Sequence, residues 1–417
     1  MSKYIINGGG VLDGQIKIKG AKNSILPLLA GSILTEGKVV LCDCPDISDI
    51  RSMLNILRNL GCKINQQGEN IEIDSSNINK GEIPTNLARE LRSSIFLLGA
   101  LLSRTKKAKI AYPGGCDIGM RPIDIHLNGL RELNITVDEE GEYILCNSEN
   151  AKCADIVFDL PSVGATENLM MASVFVKGTT VLRNCAKEPE IVDLQDFLCS
   201  MGAKIRGAGG SVIYIDGVDK LSGTEWTPIP DRIVAGSYII ATAICGGNIE
   251  LENAKSEHIS SLISKLAKTT CKINAKNDRI TIRSHGRQKS IDCIETMYYP
   301  GFPTDLQTQM LTLQSISNGT SVIVENIFET RFRTVGELKK MGADIKVKDK
   351  VAIVKGVGRL CGANVTAYDL RGGASLVLAG LNAEGITIIN DIYHIDRGYE
   401  NMADILSAVG ANIKRLD

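Results

Sequence analysis

A mixed α/β fold of two repeated domains is what this sequence predicts, on three observations. A helix–turn–strand pattern recurs six times, a second helix–strand pattern follows each copy, and 417 residues are too many for one ordinary core. The first pattern is an apolar segment, a short turn often ending in Gly, and a β-branched run. Its copies are LLAGSILTEGKVVL from Leu28, FLLGALLSRTKKAKI from Phe96, MMASVFVKGTTVL from Met170, IIATAICGGNIEL from Ile239, LTLQSISNGTSVI from Leu311 and LVLAGLNAEGITII from Leu376. The second has leucines at helical spacing running into Gly-Ala-x-Ile or a relative, as in LNILRNLGCKI, LQDFLCSMGAKI and ILSAVGANI. Its turn residues are Gly61, Asn134, Gly202, Thr270, Gly342 and Gly410, a period of roughly 70 residues of the kind that marks stacked units.

A unit of two helices and a few strands cannot bury both its faces alone, so neighbouring units share a core. Six units divide three and three. The boundary is expected at Gly223 to Asp231 (GTEWTPIPD), where two prolines and a glycine interrupt any apolar period. The opening strand, Tyr4 to Ile6, precedes the first unit and could pair with either domain.

Composition excludes several functions. Hydrophobic residues at 44% and charged residues at 23% describe an ordinary globular chain, and aromatics at 4% are too few for a base-stacking surface. A net charge of −1 gives no field to recruit nucleic acid or an anionic membrane. Met1 to Gly10 has no apolar run, so no secretory signal is expected and the chain is read as cytoplasmic. The longest apolar window, Ile233 to Cys245, is broken by Gly236 and Ser237 and falls short of the ~18 residues of a membrane span. Twelve cysteines in a reducing compartment are expected to be free thiols, most of them small core residues. Cys42-Asp-Cys44 has no second ligand pair at zinc spacing and the four histidines are scattered, so no metal is expected. Gly8 to Gly10 lacks a P-loop lysine, and no G-x-G-x-x-G joins a strand to a helix.

The repeat also points to a site. The first helix of each unit is expected to begin at Lys22, Arg92, Val163, Arg232, Asp305 and Arg371, the second near Asp49, Arg121, Glu190, His258, Arg331 and Arg397. Helix starts favour Ser, Thr, Asp or Asn, and the dipole disfavours cations there. The cations at these starts therefore break a local rule, which is how functional residues reveal themselves. Free N–H groups beside cations suit phosphate and carboxylate, and pseudo-symmetric units would aim several of them the same way. The alternative for any one of them is a solvated or salt-bridged surface residue. For Asp305, as for Glu188, Glu190 and Asp231, the alternative to a general base is a helix cap.

Pro113-Gly-Gly-Cys-Asp-Ile-Gly-Met-Arg-Pro122 has three glycines and two prolines, can be neither helix nor strand, and is expected to be a mobile loop. Cys116 lies five residues before Arg121, and a cationic neighbourhood raises the thiolate fraction.

These residues resemble a known family. Lys22-Asn23, the Cys116 loop, Ser162-Val-Gly-Ala-Thr-Glu167, Pro230-Asp-Arg232, Phe302-Pro-Thr-Asp305, Asp369-Leu-Arg371 and Tyr393-His-Ile-Asp-Arg-Gly-Tyr399 are similar to the UDP-N-acetylglucosamine 1-carboxyvinyltransferases among the enolpyruvyl transferases. The resemblance spans the chain. It implies a two-domain inside-out α/β barrel with three units per domain, 22–229 and 1–21 joined with 230–417, and substrates in the interdomain cleft. It implies phosphoenolpyruvate and UDP-N-acetylglucosamine as substrates and no cofactor. Lys22, Arg121 and Arg397 would bind phosphoenolpyruvate, with Arg331 and Arg371 completing the cationic lining. Asn23, Arg92, Arg121, Pro122, Ile123, Asp124, Ile125, Ser162, Val163, Gly164, Asp305 and Ile327 would contact the UDP-sugar, with Phe328 beside it. Cys116 resembles the family's acid, the thiol that forms an adduct with phosphoenolpyruvate and is alkylated by fosfomycin, and Asp305 its base.

Two departures stand out: Leu160-Pro161 where some relatives carry a basic residue, and Arg333 where others have His or Met. The first removes one diphosphate contact, and the second is expected to touch little. Within the fold the alternative acceptor is shikimate 3-phosphate, whose enzyme lacks the Cys loop. The alternative of another class is a silent scaffold that only binds a nucleotide-sugar.

Overall fold

The computed structural model describes residues 2–78, 80–112, 114 and 123–417. The chain forms two compact units, one of the opening segment to Lys19 with Pro230–Asp417, the other of the chain between Gly20 and Ile229. Each has its own apolar core, one running from Ile25 to Leu221, the other from Tyr4 to Ile18 and from Ile233 to Ile413.

Both units place helices inside and sheets outside. In the Gly20 to Ile229 unit, Phe96–Thr105 packs on Lys22–Gly31 and on Val163–Ser173, and all three are buried along nearly their whole length. An all-round apolar helix needs neighbours on every side, which is why the repeat's first helices become the barrel interior. Gly99 makes one crossing possible: a Cβ there would lie 2.2 Å from the Asn168 carbonyl oxygen. In the other unit Arg232–Cys245, Gln307–Ile316 and Leu370–Asn382 pack on one another in the same way, and every residue of Gln307–Ile316 is buried. The second helices are one-sided. Ser48–Asn59 buries Ile50, Met53, Leu54 and Leu57 and turns Arg51 and Arg58 outward.

Among the described residues five sheets have four strands and one has three. Each four-stranded sheet sets one parallel edge strand beside an antiparallel trio, as Asp155–Val157 pairs parallel with Thr179–Arg183 (Leu182 opposite Ile156). The three-stranded sheet keeps only a trace of that fourth strand, the bridge between Glu82 and Lys109. Lys3–Asn7 lies between Ile386–Asn390 and Ile413–Leu416, antiparallel to both, and Leu12–Lys17 runs parallel to Gly247–Glu252. The opening segment thus completes two sheets of the unit that ends the chain.

Ile233 to Cys245 lies within a buried helix, and among the described residues no helix is long and apolar enough to cross a membrane. The eleven described cysteines are free thiols. Only four of them, Cys44, Cys62, Cys146 and Cys185, are buried, while Cys153, Cys293 and Cys361 are exposed. The expectation that most are core residues is corrected by strand position, since Cys153 and Cys293 sit at or beside edge strands that show one side to solvent.

Candidate active site

In the unit ending at Asp417 the site is built from the first turns of buried helices. Asp369 caps Leu370–Asn382, its Oδ1 accepting from the N–H groups of Arg371 and Gly372 at 2.9 Å each. That places Arg371 in the first turn, 3% exposed. Its Nη2 donates to Asp305 Oδ2 at 3.2 Å, and among the described residues its Nη1 has no hydrogen-bond partner. Arg331, 2% exposed at the start of Arg331–Thr334, donates from Nη2 to Asp305 Oδ1 at 2.6 Å and from Nε to Thr304 Oγ1 at 3.3 Å. Asp305, with 27% of its side chain exposed, is thus gripped by two buried guanidiniums. Buried cations persist only when paired, so this carboxylate and Asp369, whose Oδ1 lies 3.9 Å from Arg331 Nη1, are their counter-charges. Asp305 does not cap its helix: the cap position of Thr304–Leu306 is Pro303. Asp231 does act as a cap, accepting from Ile233 and Val234 N–H at 2.9 Å.

Glu325, buried, organises the neighbouring loop. Its Oε1 accepts from Ile327 N–H at 2.9 Å and Phe328 N–H at 3.1 Å, and its Oε2 from Thr304 Oγ1 at 3.0 Å. The Phe328 ring lies 5.2 Å from the Arg331 guanidinium carbon. Ile327, Phe328, Arg331 and Asp305 are therefore one assembly. Arg397 departs from expectation. It is the last residue of the Ile392–Arg397 turn, partly buried, and the sixth unit's second helix starts only at Met402. A 3₁₀ turn also opens this element in the units with Ser256–Ile259 and Arg331–Thr334, but there the helix follows at once, whereas here four residues separate Arg397 from Met402. Arg333, expected to touch little, instead stacks on Tyr368, its guanidinium carbon 4.2 Å from the ring centroid.

In the Gly20 to Ile229 unit Lys22 opens Lys22–Gly31, its Nζ 3.0 Å from Asp49 Oδ2 with both side chains largely buried. The next turn is tied down by Asp193, which accepts from Ser24 Oγ, from Trp226 Nε1 at 3.0 Å and from Ile229 N–H at 3.2 Å. Burial pushes the Asp193 carboxyl up to about 6, against these hydrogen bonds. Ser162 caps Val163–Ser173, accepting from Ala165 N–H at 3.3 Å. A Cβ on Gly164 would come within 3.1 Å of His126, so glycine lets the Ser162–Gly164 turn close onto that ring. His126 is held neutral, its pKa lowered to about 4 by burial and then by Arg92. Its Nδ1 lies 3.0 Å from Asn168 Nδ2, which also donates to the Ile95 carbonyl at 3.0 Å and so fixes the Arg92–Ile95 turn. Asn23 and Ile125 are half-buried, Ile123 is buried, and Asp124 is exposed at the start of Asp124–Glu132. Cys116, Arg121 and Pro122 lie outside the described residues.

Glu167, on the helix capped by Ser162, is fully buried and among the described residues neither carboxyl oxygen has a hydrogen-bond partner. Burial, then Glu190, then Glu188 raise its pKa well above the ordinary carboxylate range, so it is held protonated. The unfolded chain ionises above roughly pH 4.3 while the folded one keeps its proton, so this residue costs stability as pH rises through that range. Glu167→Gln is therefore expected to melt with wild type at pH 4 and above it at pH 8, by about 2–4 °C per kcal/mol recovered. Equal melting temperatures at both pH values would show that Glu167 is not buried as an acid.

Asp369, Glu325, Tyr399 and Glu167 were not foreseen as site components. Asp369, Glu167 and Tyr399 stood in quoted motifs, whereas Glu325 carries no sequence signal beyond following the strand Thr320–Val324. Among the described residues no group of three or more His, Cys, Asp or Glu is placed to hold a metal.

Residues 6–406 match the family model of EPSP synthase (3-phosphoshikimate 1-carboxyvinyltransferase). The chain is 52% identical to UDP-N-acetylglucosamine 1-carboxyvinyltransferase 2 of Caldanaerobacter subterraneus subsp. tengcongensis, over 100% of both chains. It is 48% identical to the protein of the same name from Clostridium acetobutylicum, over 100% of this chain and 99% of the relative. Among solved structures, the enolpyruvyl transferase NikO from Streptomyces tendae superimposes with a TM-score of 0.88 at 23% identity, covering 99% of this chain and 98% of that one. EPSP synthase from Acinetobacter baumannii gives 0.75 at 16% identity over 100% of both chains. These two likenesses concern the fold, an inside-out arrangement of helices within sheets.

Proposed function

The chain belongs to the UDP-N-acetylglucosamine 1-carboxyvinyltransferases within the EPSP synthase family, and from that premise we propose that it moves the carboxyvinyl group of phosphoenolpyruvate onto the 3-hydroxyl of UDP-N-acetylglucosamine, releasing phosphate. This is the committed step toward the peptidoglycan precursor, and the chain acts in the cytoplasm. The observation that carries the reading is the Asp305 carboxylate fixed between Arg331 and Arg371 in a chain that matches UDP-sugar transferases end to end.

The reaction needs an acid and a base at one centre. The methylene carbon of phosphoenolpyruvate takes a proton, the sugar hydroxyl adds to the adjacent carbon, and the tetrahedral ketal then loses a proton and phosphate. Asp305 takes the hydroxyl proton and Cys116 supplies the acid. Phosphate, carboxylate and diphosphate together bring several negative charges, and Lys22, Arg121 and Arg397 offset those of phosphoenolpyruvate. Asn23, Arg92, Ile123 to Ile125, Ser162 to Gly164 and Ile327 hold the UDP-sugar. Arg371, with Nη1 unused, has one donor edge left for an anionic group while its other edge holds Asp305. The two domains are taken as 22–229 and 1–21 with 230–417.

A second reading, shikimate 3-phosphate as acceptor, is favoured only by the family model's description. Both readings meet one assay: phosphate release from phosphoenolpyruvate with each acceptor. Release with UDP-N-acetylglucosamine alone is expected. Release with shikimate 3-phosphate alone would overturn the acceptor, and release with neither would favour a silent scaffold.

A further inference from the structure

Behind Arg371 lies a buried hydroxyl network that the reaction as drawn does not use. Tyr399 ends the Tyr393–Tyr399 motif and is 1% exposed. Its hydroxyl lies 2.7 Å from Ser237 Oγ, and Gln309 Nε2 lies 3.3 Å from both oxygens. Counting protons fixes the directions. Ser237 gives its only proton to the Ile233 carbonyl at 2.8 Å, so the Tyr399 O–H must donate to Ser237. The Tyr399 oxygen is then an acceptor for Gln309. Thr308 Oγ1 lies 2.9 Å from Gln309 Oε1, and its single proton is shared between that oxygen and a backbone carbonyl. The same threonine hydroxyl is 3.0 Å from the Arg371 carbonyl oxygen.

Three buried helices thus set one tyrosine: Arg232–Cys245 through Ser237, Gln307–Ile316 through Gln309, and Leu370–Asn382 through the residue it faces. That residue is Arg371, whose guanidinium carbon is 5.5 Å from the Tyr399 ring centroid, within the range of a cation over an aromatic face. A phenylalanine would fill the same space, so what the hydroxyl adds is orientation.

We infer that Tyr399 is a positioning residue for the proposed base: locked by Ser237 and Gln309, it holds the Arg371 guanidinium where it grips Asp305. The inference rests on the transfer reaction proposed above. Loss of one buried hydroxyl contact would let Arg371 and then Asp305 relax, which acts on the chemical step more than on substrate binding.

The test is a double-mutant cycle on the intact enzyme, read as phosphate release. Tyr399→Phe is expected to lower kcat about tenfold, leave KM for both substrates within about twofold, and melt within about 4 °C of wild type. In an Asp305→Asn background the same substitution is expected to cost nothing further, because the residue it acts through has lost its function. Ser237→Ala should reproduce both results and serves if Tyr399→Phe fails to fold. An equal loss in both backgrounds, or a rise in KM with kcat unchanged, overturns the inference while wild-type turnover leaves the transfer reaction standing. A wild type that releases no phosphate overturns the reaction, and the inference with it.

Discussion

Asp305→Ala is expected to lower phosphate release by about 10³-fold, the middle of the range for removing a positioned general base. UDP-N-acetylglucosamine still binds, since the sugar is held by residues on several other elements. The substitution also leaves Arg331 and Arg371, 2% and 3% exposed, facing each other without the carboxylate that offsets them. Breaking one side of a buried ion pair costs about 3–5 kcal/mol, discounted here because Asp305 itself is partly exposed and Asp369 remains beside Arg331. Asp305→Asn separates the two effects: it keeps the volume and one acceptor, so it should lose the rate while melting closer to wild type. Turnover within tenfold of wild type in both variants would place the base elsewhere.

Cys116→Ser is expected to fold normally and lose turnover by at least about 10²-fold, because a serine hydroxyl is a far weaker acid than a thiol at neutral pH. Fosfomycin, an epoxide, should label the wild-type thiol and not the variant. The other cysteines provide the contrast. Burial pushes the thiols of Cys44, Cys62, Cys146 and Cys185 up to about 12, so they carry almost no thiolate. Cys153, Cys293 and Cys361 are exposed and are the competing sites. Peptide mass spectrometry that finds the label on one of those three would contradict the assignment of Cys116.

The repeat was legible because it is written in periodicity. Six apolar segments at a spacing of roughly 70 residues became six buried helices, or a helix led by a 3₁₀ turn at Arg92–Ile95 and Thr304–Leu306. Cations at helix starts were legible for the same reason, and Lys22, Arg331 and Arg371 stand there. What those cations touch could not be read. Arg331 and Arg371 come from different units of the repeat, and only tertiary packing brings both onto Asp305. The capping reading of Asp305 failed and that of Asp231 held. Both are acidic residues near a helix start, and the difference is position: Asp231 stands at the cap itself, whereas Asp305 lies two residues past the cap, Pro303. Arg397 was misplaced because it ends the sixth unit's 3₁₀ turn, and the second helix begins only at Met402. The opening strand's partner was undecided in sequence because it precedes the first repeat and pairs with the last.

The measurement that reaches the central claim most directly is one incubation in D₂O of the enzyme with phosphoenolpyruvate and UDP-N-acetylglucosamine, with the nucleotide-sugar product analysed by NMR and mass spectrometry. Addition followed by elimination passes through a methyl group made by protonating the methylene carbon, so the product should carry a vinyl ether on the sugar 3-oxygen with deuterium in its methylene. A nucleotide-sugar recovered without the vinyl ether, or carrying phosphate in its place, would contradict carboxyvinyl transfer by this protein.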